Sequence, residues 1–159
     1  MTIKGLIDED FINYKKPSMV IEFPFCSLKC DKECGQSVCQ NSPLLQEPII
    51  DIDCNDLILR YIYNPITEAI VMQGMEPMDS FGELHNFLIW FKHQYHCMDD
   101  VVIYTGYNKD EITEYINVLK LFPNIIIKYG RYIPNQESHY DPILGVYLAS
   151  DNQYAEKIS

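Results

Sequence analysis

Four short apolar segments recur along this chain, each ending in a loop, and three amphipathic helical patterns fall between them. Met19–Phe25, Glu68–Met72, Val101–Tyr104 and Asn124–Tyr129 carry the β-branched and aromatic residues that suit a buried pleat. A helix is expected from the Asp53 cap to about Asn64, where Ile58, Tyr61 and Ile62 recur at helical spacing. A second is expected from Asp79 or Ser80 to about Tyr95, with Phe81, Leu84, Phe87, Leu88 and Phe91 on its inner side. A third runs from Asn108 or Asp110 to about Leu119. Residues 1–17 read as a lead-in stopped by Pro17, and a last strand is expected at Leu144–Ala149. This strand–loop–helix rhythm specifies a parallel α/β sheet, and near-continuous apolar strands fit burial on both faces.

Such a sheet gathers ligands at the carboxyl ends of its strands. Four conspicuous stretches sit at such ends: a cysteine loop after Phe25, QGMEP at 73–77, YTGY at 104–107 and ASDNQ at 149–153. The expectation is one shared cleft in a single domain spanning residues 1–159. No apolar run approaches the roughly 20 residues of a membrane span, and the acidic N-terminus is unlike a signal peptide, so no membrane association and a cytoplasmic setting are expected. The formal net charge of −11 disfavours non-specific nucleic-acid binding, which needs a phosphate-neutralising surface.

Cys26, Cys30, Cys34 and Cys39 crowd into the loop after the first apolar strand, four of the six cysteines in the chain. In a reducing setting, clustered thiols bind metal or do redox chemistry more often than they form a disulfide framework. Spacing alone leaves three readings: a structural zinc site using all four thiols, a disulfide pair, or an iron–sulfur cluster. Four thiolates would close a [4Fe–4S] cube, and three would leave one iron open. Cys54 and Cys97 lie elsewhere and read as packing or surface thiols, and His93 and His96 as an exposed helix end.

Taken in order, these stretches resemble the radical S-adenosylmethionine superfamily, and most closely the activating proteins of anaerobic ribonucleoside-triphosphate reductase. The residues that carry the resemblance are Cys26-x3-Cys30, Cys39-Gln40-Asn41, Gly74-Met75-Glu76-Pro77, Tyr104-Thr105-Gly106-Tyr107 and Ala149-Ser150-Asp151-Asn152-Gln153, with the lead-in IDEDFINYKKPS before them. They cover nearly the whole chain. The resemblance implies an incomplete TIM-like barrel with about five parallel strands. It implies an enzyme that cleaves S-adenosylmethionine reductively at a [4Fe–4S] cluster, giving a 5′-deoxyadenosyl radical that installs a glycyl radical on the reductase. A reductant such as flavodoxin or ferredoxin would supply the electron.

Carried over residue by residue, the metal ligands are Cys26, Cys30 and Cys39. The cofactor-binding set is Gly74, Met75, Glu76, Tyr104, Thr105, Ser150 and Asn152. Two departures stand out. The family's third cysteine follows the second after two residues; here Cys34 lies one residue too far and Cys39 six. Cys39 is preferred because Cys39-Gln40-Asn41 matches the family's cysteine–x–Asn ending, which makes the intervening residues an inserted loop. Met75 replaces a glycine, so its side chain is expected to point away from the ligand. Two other readings compete: a radical enzyme acting on a small molecule, and a non-catalytic zinc or iron–sulfur interaction module.

Overall fold

In a computed structural model describing all 159 residues, the apolar segments form the centre of a six-stranded sheet. The first half of the chain forms β1 (Thr2–Ile3), β2 (Gly5–Asp10), β3 (Ser18–Phe23), α1 (Lys29–Cys34), β4 (Ile50–Asp51), α2 (Cys54–Ile62) and β5 (Ala69–Gly74). The second half forms α3 (Phe81–Leu88), β6 (Asp100–Tyr104), α4 (Thr113–Leu119), β7 (Ile125–Tyr129), β8 (His139–Asp141), β9 (Val146–Leu148) and β10 (Tyr154–Lys157). Strand order across the sheet is β10-β7-β6-β5-β3-β2.

The strands β3, β5, β6 and β7 are parallel and stand side by side in chain order, so every crossover steps the same way. Crossovers of one hand then bring their helices to one face. Met19, Ile21, Ile70, Met72, Val101, Ile103, Ile125 and Ile127 pack there with Leu57 and Ile58 of α2, Leu84 and Phe87 of α3, and Ile116 and Leu119 of α4. The alternate strand residues Val20, Val71, Val102 and Ile126 face the other way, beneath Tyr14, Leu144 and Leu148. Both faces are therefore buried, but by different material: helices on one side, lead-in and a hairpin on the other.

Three expectations change. Leu144–Ala149 is not a further parallel strand: Val146–Leu148 pairs antiparallel with β8 in a separate hairpin, after Gly145 at φ 76°. Tyr147 stands 73% exposed there, while Leu144 and Leu148 turn inward onto the sheet. The sheet is consequently mixed, with four parallel strands rather than about five. Its edges are β2 and β10, both antiparallel to their neighbours. The lead-in is itself structured, since it supplies β1 and β2.

The second helix also differs in its start and end. Its first turn is a tight 3₁₀ segment, Pro77–Ser80, capped by Glu76, whose carboxylate accepts from Met78 N–H at 3.0 Å. Of the two expected caps, Ser80 stands at the N-cap of α3 without a side-chain cap bond, and Asp79 instead accepts from Ser27 N–H (2.6 Å) and the Tyr107 hydroxyl (2.6 Å). Beyond Leu88 the helix widens into π turns through Gln94, with Tyr95 N–H donating to Trp90 O at 2.9 Å. The other caps are where the sequence puts them. Asp53 accepts from Asn55 and Asp56 N–H, and Asn108 forms a reciprocal capping box with Glu111. No helix is long and apolar enough to cross a membrane.

Candidate functional site

At the carboxyl ends of the parallel strands the chain leaves a cleft of about 310 Å³. That volume suits a small molecule. Its walls come from all four strand ends: Cys26 beyond β3, Gly74, Met75 and Glu76 at β5, Tyr104, Thr105 and Gly106 at β6, and Lys128 and Gly130 at β7. Cys30, Cys39 and Asn41 close it from the cysteine loop, and Tyr147 and Gln153 from the hairpin and the C-terminal segment. Of the expected site residues, Gly74, Met75, Glu76, Tyr104, Thr105, Cys26, Cys30 and Cys39 meet here.

Ser150 and Asn152 do not line the cleft. Ser150 is fully buried, its backbone N–H donating to Gln153 Oε1 (3.2 Å). The Asn152 amide donates to Arg131 O (2.9 Å). Ala149 and Gln153 are the wall residues of that segment; Gln153 also accepts from Ala149 N–H and donates to Gly130 O. The terminal motif thus folds one end of the cleft upon itself.

All six cysteines are free thiols, with Cys54 and Cys97 packed against the helix-side core. Cys26 and Cys30 are half-buried. Burial pushes the Cys26 thiol up to about 11 and raises that of Cys30, and each also feels the charge of Cys39. Cys34, at the end of α1, is not on the cleft wall. No three His, Cys, Asp or Glu side chains converge on a single-ion site in this conformation. The donor set facing the cleft is nevertheless three thiols, which fits a thiolate-held cluster whose ligands bind separate irons.

The loop owes its shape to a few polar contacts. Asp31 accepts from the backbone N–H of Val38 (2.8 Å) and Cys39 (2.9 Å), after Gly35 at φ 66° has ended α1. This folds the inserted residues into a ring that returns Cys39 to the cleft. The Asn41 amide then donates to Gly74 O at 2.5 Å, fastening the loop to the end of β5. On the outer side Arg131, 7% exposed at its side chain, makes two hydrogen bonds to Glu111 (2.7 and 2.6 Å) and an ion pair with Glu33 of α1 (3.2 Å). The Arg131 guanidinium holds the Glu111 carboxyl down at about 2. Asp31→Ala is expected to make Cys39 react with iodoacetamide severalfold faster, while Cys26 and Cys30 stay slow. Mass-spectrometric mapping of the alkylated thiols checks this, and an unchanged Cys39 rate would contradict it.

Glu76 is the most constrained polar group in the cleft. It is 5% exposed, with Oε1 accepting from Thr105 Oγ1 (2.7 Å) and Met78 N–H (3.0 Å) and Oε2 from Gly106 N–H (2.8 Å). Burial nonetheless pushes its carboxyl up to about 7. Gly74, just before it, sits at φ 95°, and a Cβ there would lie 2.8 Å from Phe23 N and 2.9 Å from Glu22 Cα. Only glycine lets the two strand ends approach so closely. Met75 beside it is 8% exposed. The Tyr104 hydroxyl donates to Asn13 O (2.5 Å), tying the lead-in to the sheet.

The parallel register makes a polar row out of residues that are far apart in sequence. Glu22 pairs with Gln73, and Tyr104 with Lys128, each following three apolar residues of its strand. These positions share the face away from the helices, where Gln73, Tyr104 and Lys128 line the cleft. Lys128 is a charged lining residue that motif reading missed, and Gln73, inside QGMEP, was not singled out as a site residue. The signal was present: MVIE, IVMQ, VVIY and IIIK repeat one pattern, three apolar residues then a polar or tyrosine residue. Comparison with known family models, curated proteins and solved structures finds no match.

Proposed function

We propose that this chain is a radical S-adenosylmethionine enzyme that activates a glycyl-radical protein, the anaerobic ribonucleoside-triphosphate reductase being the partner its motifs resemble most. One observation carries the reading. Three cysteines from a loop with unusual spacing share a single cleft with the QGMEP and YTGY strand ends, and Cys34 does not. Four parallel strands stepping in one direction, with helices on one face, also fit the start of a TIM-like barrel left incomplete.

In this reading Cys26, Cys30 and Cys39 hold a [4Fe–4S] cluster and leave one iron for the cofactor. The cluster, reduced by an external one-electron donor, and S-adenosylmethionine would supply the hard chemistry, reductive cleavage of the sulfonium carbon–sulfur bond and hydrogen-atom abstraction from the partner's glycine. The protein binds and orients. A carboxylate offers about four acceptor sites, and Glu76 uses three of them internally, so one remains for the cofactor's amino group. The Gly74 carbonyl, already accepting from Asn41, offers a second. Above about pH 7 Glu76 is ionised and can only accept, as this role requires. Thr105 and the Gly106 N–H keep it aimed.

The test is anaerobic reconstitution with iron and sulfide, then dithionite and S-adenosylmethionine, with 5′-deoxyadenosine measured as the product. Formation of 5′-deoxyadenosine is expected. A reconstituted, reduced protein that releases none would overturn the proposal.

A further inference from the structure

The helix that brings Cys30 to the cleft is not held there by apolar packing. α1 is six residues long and buries none of them. A helix that short is not stable alone. This one also starts from Leu28 in the left-handed region, at φ 54° and ψ 40°, with no side-chain cap. What it does present is a pair of opposite charges four residues apart, Lys29 and Glu33, and so on one face. They meet an opposite pair on the body of the protein. Lys29 Nζ stands 3.3 Å from Glu111 Oε1 and 4.3 Å from the centre of the Tyr107 ring, and Glu33 Oε1 is 3.2 Å from the Arg131 guanidinium. Arg131 and Glu111 are themselves joined by two hydrogen bonds, so the body's pair is complete without α1.

The order of the charges is informative. A cation at the start of a helix and a carboxylate in its last turn both oppose the helix dipole, and Glu before Lys is the better order in an isolated helix. Lys29 and Glu33 take the other order, the one that matches Glu111 and Arg131. Cys30 lies between them in α1. Its sulfur and Arg131 Cγ pack towards the same point beside Gly106, where an added Cβ would lie 3.7 Å from each.

We propose that the Arg131–Glu111 pair is a charge-matched dock for α1, which makes Arg131 a positioning residue for Cys30. The partners that α1 brings are the exposed ones, Lys29 at 42% and Glu33 at 59% of the side chain, whereas the Arg131 side chain is buried. Salt screens exposed pairs most strongly. Ionic strength therefore releases the helix and leaves the sheet beneath it intact. The dock is independent of the proposed function; only its consequence for a cluster relies on that reading.

Hydrogen exchange of the metal-free full chain, read over α1 (Lys29–Cys34) at low salt and at about 1 M, tests the dock. The variant is the double exchange Lys29→Glu with Glu33→Lys. It preserves net charge, alters only exposed side chains and gives the helix its intrinsically better order, so local propensity alone would slow exchange in α1. The dock requires the reverse: exchange about tenfold faster at low salt, from two exposed pairs turned repulsive, with β3, β5, β6 and β7 unchanged. Salt should speed α1 exchange in the wild type and slow it in the double variant. Glu33→Gln, which removes one pair, should fall between the two at low salt.

Exchange in α1 that is unchanged or slower in the double variant would overturn the inference. So would salt acting in one direction on both proteins, or an equal loss of protection in the strands. After reconstitution with iron and sulfide at low salt, the double variant should hold less iron than the wild type; equal iron would overturn the role assigned to Arg131 in placing Cys30. If α1 behaves as stated and neither protein assembles a cluster, the dock stands and the iron–sulfur reading falls.

Discussion

Alanine at Cys26, Cys30 or Cys39 is expected to cost the reconstituted protein most of its iron and its brown chromophore, and to abolish 5′-deoxyadenosine formation. Cys34→Ala should retain both. The contrast follows from the cleft wall, which has three thiols and omits Cys34. Burial keeps two of the three thiols protonated in the empty site, so a metal that binds them as thiolates releases their protons, and its binding should strengthen as pH rises. Iron and sulfide analysis of the four variants decides the matter. Iron that survives the loss of Cys39 but not of Cys34 would reverse the assignment. Iron lost equally in all four would mean four thiolate ligands and no open iron.

Glu76→Ala is expected to destabilise the fold by about 3 kcal/mol or more, because it strands three donors at once in a buried setting. The hydroxyl of Thr105 and the N–H groups of Gly106 and Met78 all lose their acceptor. Glu76→Gln should cost less, since it keeps one carbonyl oxygen while turning an amide donor towards another donor. The wild type should also show a pH signature. Burial raises the folded-state pKa of Glu76 to about 7 from an ordinary value of 4.5, so between those values the folded protein holds the proton more tightly than the unfolded chain. Stability contributed by this group is therefore present below about pH 4.5 and is lost as pH rises towards 7. Urea unfolding across that range checks it. Glu76→Gln should flatten this component of the slope, and an unchanged slope would assign it to another group.

The parallel core was legible because each strand carries three consecutive apolar residues: MVI, IVM, VVI and III read as buried pleats whatever surrounds them. The cleft followed from it, since a parallel sheet puts its strand ends on one side. β2 was not legible. Its sequence, GLIDED, carries three acidic residues, which an edge strand tolerates with one side in solvent but a hydrophobic pattern does not reveal. The last expected strand failed for a related reason. Gly145 turns the chain and only Leu144 and Leu148 face the sheet, so a three-residue hairpin arm buries the same apolar side chains as a strand would.

At the site, residue types were legible and partnerships were not. Glu76 reads as a helix-start residue or a ligand acceptor, and it is a cap whose carboxylate also reaches across to β6. Ser150 and Asn152 share a motif with Gln153, yet only the last turns to the cleft, because the other two are spent on Ile133, Arg131 and the turn itself. Asp31 carries no motif at all. Its importance arises from the insertion it closes, and a side chain that accepts from residues seven and eight positions away leaves no periodic trace.

Electron paramagnetic resonance of the anaerobically reconstituted, dithionite-reduced wild-type chain, recorded with and without S-adenosylmethionine, tests the open iron most directly. The expected result is a reduced [4Fe–4S] signal whose shape changes when S-adenosylmethionine is added, because the compound binds an iron that Cys26, Cys30 and Cys39 leave free. A signal that S-adenosylmethionine leaves unaltered, or no iron signal from a chain that carries stoichiometric zinc, would contradict it.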